Sequence, residues 1–578
     1  QLPADSDDTP AAAGAEARVW LPRKRESGRR GKECRSGQRS LEEFSAVGRG
    51  DRAVGKRGDG SGGPGGQEQA PLAEALSWHA ARPRARFHVP GHKGGNPAVW
   101  PSLTDLAGPA YLRADVTELP ELDDLHWPSP GGPVGRAQAL AAEAFGAGEA
   151  WFLTGGATAG VLAMVLAAVG PGRTLLVTLP FHRSIAAAAI LAGCDIRVVP
   201  PRLAEPAGVP IPAAPESIAR AVAETRPAAL LITSPTYHGV VSDLTAIGVL
   251  CRRAGVPLLV DAAHGAHLGF SPALPAAVAG SGAAAWVVSL HKTAGALTPG
   301  ALLLVGETAT LRPPGAAMRT ARAAGVDRSR LASSLRFVQS SSPSFPVLAS
   351  LDLARRQLVL KGREDWTRAA GLAAATLERV SRLAGGRLGP LDLPGGLDRD
   401  PTRLVFAVAH DAPPGLTGLG LAEAVREAGV DLEMAGWGEV VAVVTPADTP
   451  ESLERLGVAL VGALAHSSGE TTGGRERELG LSLEKEGWEA AGVQVLPPGE
   501  AFRQPRRLVP VAEAAGRVAA DVICPYPPGV PLVLPGQRIS NPVSRYLVLL
   551  GSSGRRTHGL PGRRTRFGST SFVEVIAE

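Results

Sequence analysis

Residues 286–293 read Trp286-Val-Val-Ser289-Leu-His291-Lys292-Thr293. A short apolar run stops at a serine, and a histidine and a lysine follow at once. Such a run, bounded by polar residues, predicts a buried strand. Six similar runs surround it: Trp151–Leu153, Thr174–Val177, Ile196–Val199, Ala229–Ile232, Leu258–Val260 and Leu302–Val305. Ala-rich helical stretches separate several of them, over Ala159–Val169, Ile185–Ala192, Pro215–Glu224 and Ile247–Arg253. This alternation predicts an α/β fold with a mostly parallel sheet and helices on both faces. Ligands of such sheets bind beyond the carboxyl ends of the strands. Polar residues at those ends are therefore the candidates for chemistry.

Three strand ends carry them. After Leu258–Val260 comes Asp261-Ala-Ala-His264-Gly-Ala-His267; after Trp286–Val288 come Ser289, His291 and Lys292. After Trp151–Leu153 comes Thr154-Gly155-Gly156-Ala157-Thr158-Ala159-Gly160, a Gly-rich turn that runs into a helix. The free N–H groups of such a helix start suit a phosphate. Only seven of the 60 basic residues are lysine. A lysine kept in an apolar context then asks for a reason, because Arg cannot replace an amine nucleophile.

Carboxylate, lysine and phosphate cradle together are what pyridoxal phosphate requires. Lysine forms a Schiff base with its aldehyde, and a carboxylate beside the pyridine nitrogen keeps that nitrogen protonated. A flat side chain stacks on the ring, and His182, after another strand, is placed for that. Each piece also has a plainer reading. Asp261 could cap a helix, Thr154–Gly160 could be only a turn, and Lys292 could be a surface lysine. His264-Gly-Ala-His267 has zinc-like spacing but no third ligand. The ordered set, each member at a strand end, is more specific than any member.

Composition bounds the rest. The 578 residues are 44% hydrophobic and 20% charged, which excludes wholesale disorder. The net charge of +5 sits at the two ends of the chain. Residues 71–550 hold as many acids as bases, which argues against nucleic acid as a partner. Four scattered cysteines form no CxxC pair and suggest no disulfide framework. The longest apolar run, Val161–Val169, is too short to span a bilayer, and the polar start lacks a signal-peptide core. A cytoplasmic protein without a membrane partner and without a bound metal is expected.

The expected organisation is a disordered N-terminal extension (1–70), a cofactor-binding major domain (71–335) and a small α/β domain (336–466). A linker (467–484), a C-terminal domain (485–550) and a disordered basic tail (551–578) follow.

The motifs resemble the Orn/Lys/Arg decarboxylase family, the fold-type-I basic amino acid decarboxylases that use pyridoxal phosphate, in its shorter bacterial form without an N-terminal wing. The resemblance runs from about Pro71 to Val548. It rests on Val89-Pro-Gly-His92-Lys93-Gly-Gly, Asp115-Val-Thr117-Glu118-Leu119-Pro-Glu-Leu-Asp123-Asp124-Leu-His126, Gly156-Ala-Thr158-Ala-Gly160 and His182-Arg-Ser184. Ser234-Pro-Thr236-Tyr237-His-Gly239, Asp261-Ala-Ala-His264-Gly-Ala-His267, Ser289-Leu-His291-Lys292-Thr293, Ser342-Pro-Ser344 and Tyr526-Pro-Pro-Gly-Val-Pro…Pro535-Gly536 complete it.

The resemblance implies an aminotransferase-like fold in which Lys292 carries the cofactor, Asp261 pairs with the pyridine nitrogen and His182 stacks on the ring. Gly156, Thr158 and Ser289 would hold the phosphate, and His264 and His291 would line the site. It also implies an amino acid substrate (lysine, arginine or ornithine), loss of CO2 to give the amine for polyamine metabolism, and a homodimer or higher oligomer. The chain departs from the family pattern at Ala157, Ala262, Pro299, Arg183 and Gln537. If the family's Glu at position 537 meets the substrate's distal cation, Gln537 lowers the charge complementarity. Two other readings stay open: another fold-type-I reaction, such as an aminotransferase or a carbon–carbon lyase, and a cofactor-binding regulator with weak turnover.

Overall fold

The computed structural model describes residues 66–306, 325–395, 397–409, 412, 416–466, 473–489, 492–526, 529–553, 556–565 and 568–577. Of the disorder expected over residues 1–70, residues 1–65 lie outside the described residues, as does 467–472 of the expected linker; residues 66–70 are ordered, because Ala70 is fully buried and the Gln67 and Gln69 carbonyls accept from Arg355.

All seven strands expected from the apolar runs form, and they lie in one sheet. They are β1 (Glu149–Leu153), β2 (Thr174–Thr178), β3 (Asp195–Val199), β4 (Ala229–Thr233), β5 (Leu258–Asp261), β6 (Ala285–Val288) and β7 (Ala301–Val305). Their order is β1-β7-β6-β5-β4-β2-β3. From β3 through β6 every pairing is parallel, whereas β7 runs antiparallel to both its neighbours, β1 and β6.

The strands read as continuous apolar runs because both faces are covered. Alternate residues enter different cores. Leu258 and Val260 of β5, with Trp286 and Val288 of β6, join the core that includes the long helix Phe345–Leu383. Leu259 and Val287 join the opposite core, with Val161 and Met164 of helix α1 (Gly156–Ala168) and Ile185 of helix α2 (Ser184–Ala192). The strand's two-residue period thus sorts one apolar run into two layers.

A smaller antiparallel sheet holds β8 (Leu388–Pro390), β9 (Arg403–Val408), β10 (Met434–Ala435) and β11 (Glu439–Val443), in the order β8-β9-β11-β10. A third sheet comes from the C-terminal part: β12 (Arg506–Pro510), β13 (Gly562–Thr565) and β14 (Gly568–Ile576).

Two expectations are corrected here. The basic tail is ordered over most of its length, because β14 pairs with β12 from Arg506↔Ile576 to Pro510↔Phe572. Val573 and Val575 supply the reason: both are buried, so apolar alternation at the end of the chain outweighs the charge before it. Residues 473–484 are not a linker but part of the helix Gly473–Glu489, which buries Leu483 and Trp488. Among the described residues no helix is long and apolar enough to cross a membrane.

Candidate active site

The carboxyl ends of β5 and β6 and the start of α1 converge on one cavity of about 430 Å³. Gly156, Thr158, His182, Asp261, His264, Ser289, His291 and Lys292, the eight residues singled out from the sequence, all line it. Backbone geometry brings them there. Gly156 opens α1 at φ +71°, a conformation that a side chain would strain. One turn on, a Cβ on Gly160 would lie 2.4 Å from Val287 Cγ1, so only glycine lets α1 lie this close to β6. Beyond β6, one helical turn over Leu290–Thr293 sets Lys292 back toward the cavity.

The Lys292 amine lies 3.0 Å from His264 Nε2. The Tyr237 ring faces both groups, 4.7 Å from the His264 ring and 5.9 Å from the amine. On its other side, His264 Nδ1 accepts a hydrogen bond from the Arg403 guanidinium at 3.1 Å. Asp261 ends β5 almost fully buried, and one of its oxygens accepts from the Ala263 N–H at 3.1 Å. His291 Nδ1 donates to the Gly300 carbonyl at 2.9 Å. His182 Nδ1 accepts from the Ser184 N–H at 3.2 Å.

Burial sets the charge states. It pushes the Asp261 carboxyl up, against the pull of Lys292, and pushes the Lys292 ammonium down, against the pull of Asp261. His264 is held well below the usual imidazole range by burial, then by the charges of Lys292 and Arg403. His182 falls to about 4, again from burial first and Lys292 second. The site therefore holds neutral imidazoles beside an amine driven toward its free-base, nucleophilic form.

Two buried hydroxyls, Ser289 Oγ and Thr233 Oγ1, line the same cavity and have no hydrogen-bond partner. A buried donor left in this way costs free energy unless a ligand satisfies it. Together with the start of α1 they form a set suited to an anion.

His264 and His267 do not share a ligand. His267 Nε2 donates to Asp400 at 2.9 Å, whereas His264 meets Lys292 and Arg403. Among the described residues no group of three or more His, Cys, Asp or Glu is arranged to hold a metal ion. Gln537 does not line the cavity. It is buried in the C-terminal part, where its Oε1 accepts from the Leu534 N–H at 2.8 Å.

Sequence reasoning gave no role to five residues at or beside the site, among them Thr233, the last residue of β4. Tyr237 and Tyr526 line the cavity, and both stand in quoted motifs. Tyr526 stacks on His558 of the tail, with ring centroids 4.7 Å apart. Arg403 opens the apolar strand β9 nearly fully buried, and a charge in that context is the signal that marks it. Glu433, just before β10, carries no local signal.

Comparison with known proteins gives the family. Residues 70–390 match the Orn/Lys/Arg decarboxylase major domain, and residues 498–566 match the C-terminal domain of the same family. An arginine decarboxylase of Bacillus subtilis (strain 168) is 31% identical over 517 residues, covering 89% of this chain and 99% of that protein. An arginine decarboxylase of Bacillus anthracis is 30% identical over 486 residues, covering 83% and 93%. Among solved structures, the lysine decarboxylase LdcF of Francisella novicida has the same fold, with a TM-score of 0.73 at 19% identity over 88% of this chain and 81% of that one. The constitutive lysine decarboxylase of E. coli gives 0.72 at 20% identity, over 88% and 82%. With a mostly parallel sheet that gathers Lys292, Asp261 and the start of α1 around one cavity, and with a match that extends into the C-terminal part, the chain belongs to the Orn/Lys/Arg decarboxylase family.

Proposed function

We propose that the chain decarboxylates a basic amino acid to its amine with pyridoxal phosphate as cofactor. The observation that carries this reading is the free-base-prone Lys292 amine, 3.0 Å from a neutral His264, in one cavity with the buried Asp261 carboxylate.

The residues fit the cofactor. The unpartnered Ser289 and Thr233 hydroxyls, Thr158 and the α1 start would receive its phosphate. Asp261, pushed up by burial, would be compensated by the positive charge of a protonated ring nitrogen. His182, neutral and flat, would lie against the ring. Bound there, pyridoxal phosphate supplies an electron sink for the pair left on the substrate's Cα when the carboxylate departs as CO2.

The chain's own residues do the rest. Lys292 would hold the cofactor through its amine, and His264 Nε2, 3.0 Å from that amine, would supply it with the proton to be delivered at Cα. Glu433 is the one carboxylate besides Asp261 among the lining residues, and it stands exposed where the site opens. It would take the distal cation of the substrate. The Bacillus relatives named arginine decarboxylase make arginine the first amino acid to test.

The same reading includes a cytoplasmic enzyme that supplies amine for polyamine metabolism, and a homodimer. Phe87, Trp100, Leu106 and Trp127 stand exposed in the segment around the His92 and Asp123 motifs, a face suited to a second copy of the chain.

The test is mass spectrometry of amine formed from arginine, lysine, ornithine and neutral amino acids, with Lys292→Ala as control. One amine that disappears with the substitution supports the reading. A keto acid, or no product with cofactor bound, overturns it.

A further inference from the structure

Arg403 lies outside the cavity lining, yet its guanidinium reaches the imidazole that touches the reacting amine. It donates to His264 Nδ1 at 3.1 Å, and His264 Nε2 faces Lys292 Nζ at 3.0 Å. A guanidinium can only donate. His264 Nδ1 must therefore hold a lone pair, which leaves the single proton of the neutral ring on Nε2. That N–H points at Lys292 Nζ, so the amine has to accept and must be uncharged.

We propose that Arg403 is a positioning residue that fixes the tautomer of His264 and, through it, holds Lys292 as a free amine. The consequence for catalysis rests on the reading of Lys292 given above.

The placement of Arg403 is well supported. It follows the turn Asp400-Pro-Thr402, where Asp400 accepts from His267 at 2.9 Å and from Thr402 Oγ1 at 2.6 Å. The Arg403 N–H closes that turn onto the Asp400 carbonyl at 3.2 Å. A Cβ on Gly239 would lie 2.7 Å from Arg403 Cβ, so the glycine makes room for the arginine stem. Around the imidazole stand Lys292 and the His182, His291 and Tyr237 rings, and the Asp400 and Glu433 carboxylates favour the charge of the guanidinium. Around Lys292, Asp261 and Glu433 favour the ammonium, whereas burial and Arg403 oppose it. An imidazole locked with Nε2–H toward the amine adds to the second side.

The experiment needs no turnover. The full chain, labelled with 15N-histidine and freed of cofactor, is examined by long-range 1H–15N correlation at pH 7.5. The His264 signal is assigned by its loss in His264→Asn. The expected spectrum has His264 protonated on Nε2 alone. In Arg403→Met the proton moves wholly or partly to Nδ1, and in Arg403→Lys, which keeps a donor-only cation, the Nε2 form returns. Acetylation of Lys292 at the same pH, read by peptide mass spectrometry, slows severalfold in Arg403→Met and recovers in Arg403→Lys.

A wild-type His264 protonated on Nδ1 overturns the proposal, and that result needs no variant to fold. A tautomer unchanged in Arg403→Met, or an unchanged acetylation rate, also overturns it. If amine forms but the tautomer ignores Arg403, this inference falls and the proposed reaction stands. If the tautomer responds but no amino acid yields an amine, the proposed reaction falls.

Discussion

Asp400 accepts a hydrogen bond from His267 Nε2 at 2.9 Å, joining the loop after β5 to the turn that enters β9. Both side chains are essentially inaccessible, and the His267 ring packs on Trp366 with centroids 4.2 Å apart. The second Asp400 oxygen accepts from the Thr402 N–H and hydroxyl. Burial alone would raise this carboxyl. His267, then Thr402 and Arg403, instead hold it at about 2. Its folded value is depressed, so its contribution is complete above the unfolded value of about 3.8 and is lost only as pH falls toward 2. At neutral pH, Asp400→Asn should therefore lower stability by roughly 2–4 kcal/mol. Urea unfolding checks it, and a loss under about 0.5 kcal/mol, as at an ordinary surface site, contradicts it.

His182 gives a pH dependence of the opposite region. Its folded value is about 4, against 6.5 when unperturbed. Between those limits the unfolded chain binds a proton that the folded chain refuses. Stability must fall as pH drops through that window and is unaffected above it. By pH 5 the loss amounts to about 2 kcal/mol. Unfolding of cofactor-free wild type and His182→Gln should show the same pH slope from 9 to 7 and diverge below 6.5, the wild type losing more. Parallel curves throughout would sink the assignment.

Ser289→Ala separates holding the anion from holding the fold. Its hydroxyl is buried without a partner in the chain, so removing it should leave the cofactor-free melting temperature unlowered, or raise it. A hydrogen bond to a charged phosphate is worth about 1.5–3 kcal/mol. Pyridoxal phosphate affinity, measured by absorbance titration, should therefore weaken about 10- to 150-fold. Affinity within twofold of wild type would remove Ser289 from the phosphate set.

How much of this was legible in the sequence depended on range. The seven strands of the large sheet, and the residues after β5 and β6, were visible because each signal sits within a few residues of itself. An apolar run, a stop and a polar side chain make that signal. The inversion of β7 carried none, because a fully buried strand reads the same in either direction. Arg403 and Glu433 reach the site from a second sheet more than 100 residues after Lys292, and only the packing of that sheet brings them near. The tail was misread because the arginines of 555–566 masked the buried Val573 and Val575 behind them. Gln537 was read only through the family's Glu at that position, and in this chain its side chain turns to the Leu534 N–H in the C-terminal part.

Glu433→Gln tests what meets the distal end of the substrate. The side chain lines the cavity and is exposed, so the substitution should leave the fold intact. Losing one charge-assisted pair should raise KM for arginine about tenfold or more, with a smaller change in kcat. Inhibition by citrulline, an uncharged isostere, should change little. Equal losses for both ligands would place the cation elsewhere.

The helix Pro71–Ala81 shows how a distant residue can complete local structure. Its N-cap position is Ala70, which offers no side-chain acceptor. Asp352, in the third turn of the helix Phe345–Leu383, supplies one instead: its Oδ2 accepts from the Leu72 N–H at 2.9 Å. Its Oδ1 meets the Arg355 guanidinium at 2.7 Å, and that guanidinium also donates to the Gln67 and Gln69 carbonyls. Asp352 and Arg355 are both wholly buried. Removing one charge strands the other, whereas replacing both spares that penalty. Asp352→Leu or Arg355→Leu alone should each cost about 3–5 kcal/mol, and the double variant should cost less than the sum of the two. Hydrogen exchange should localise the Asp352→Leu effect to the amides of residues 70–74. Strict additivity, with protection unchanged there, would mean that the pair neither neutralises itself nor caps the helix, and that apolar contacts of Leu72 and Leu76 alone hold it in place.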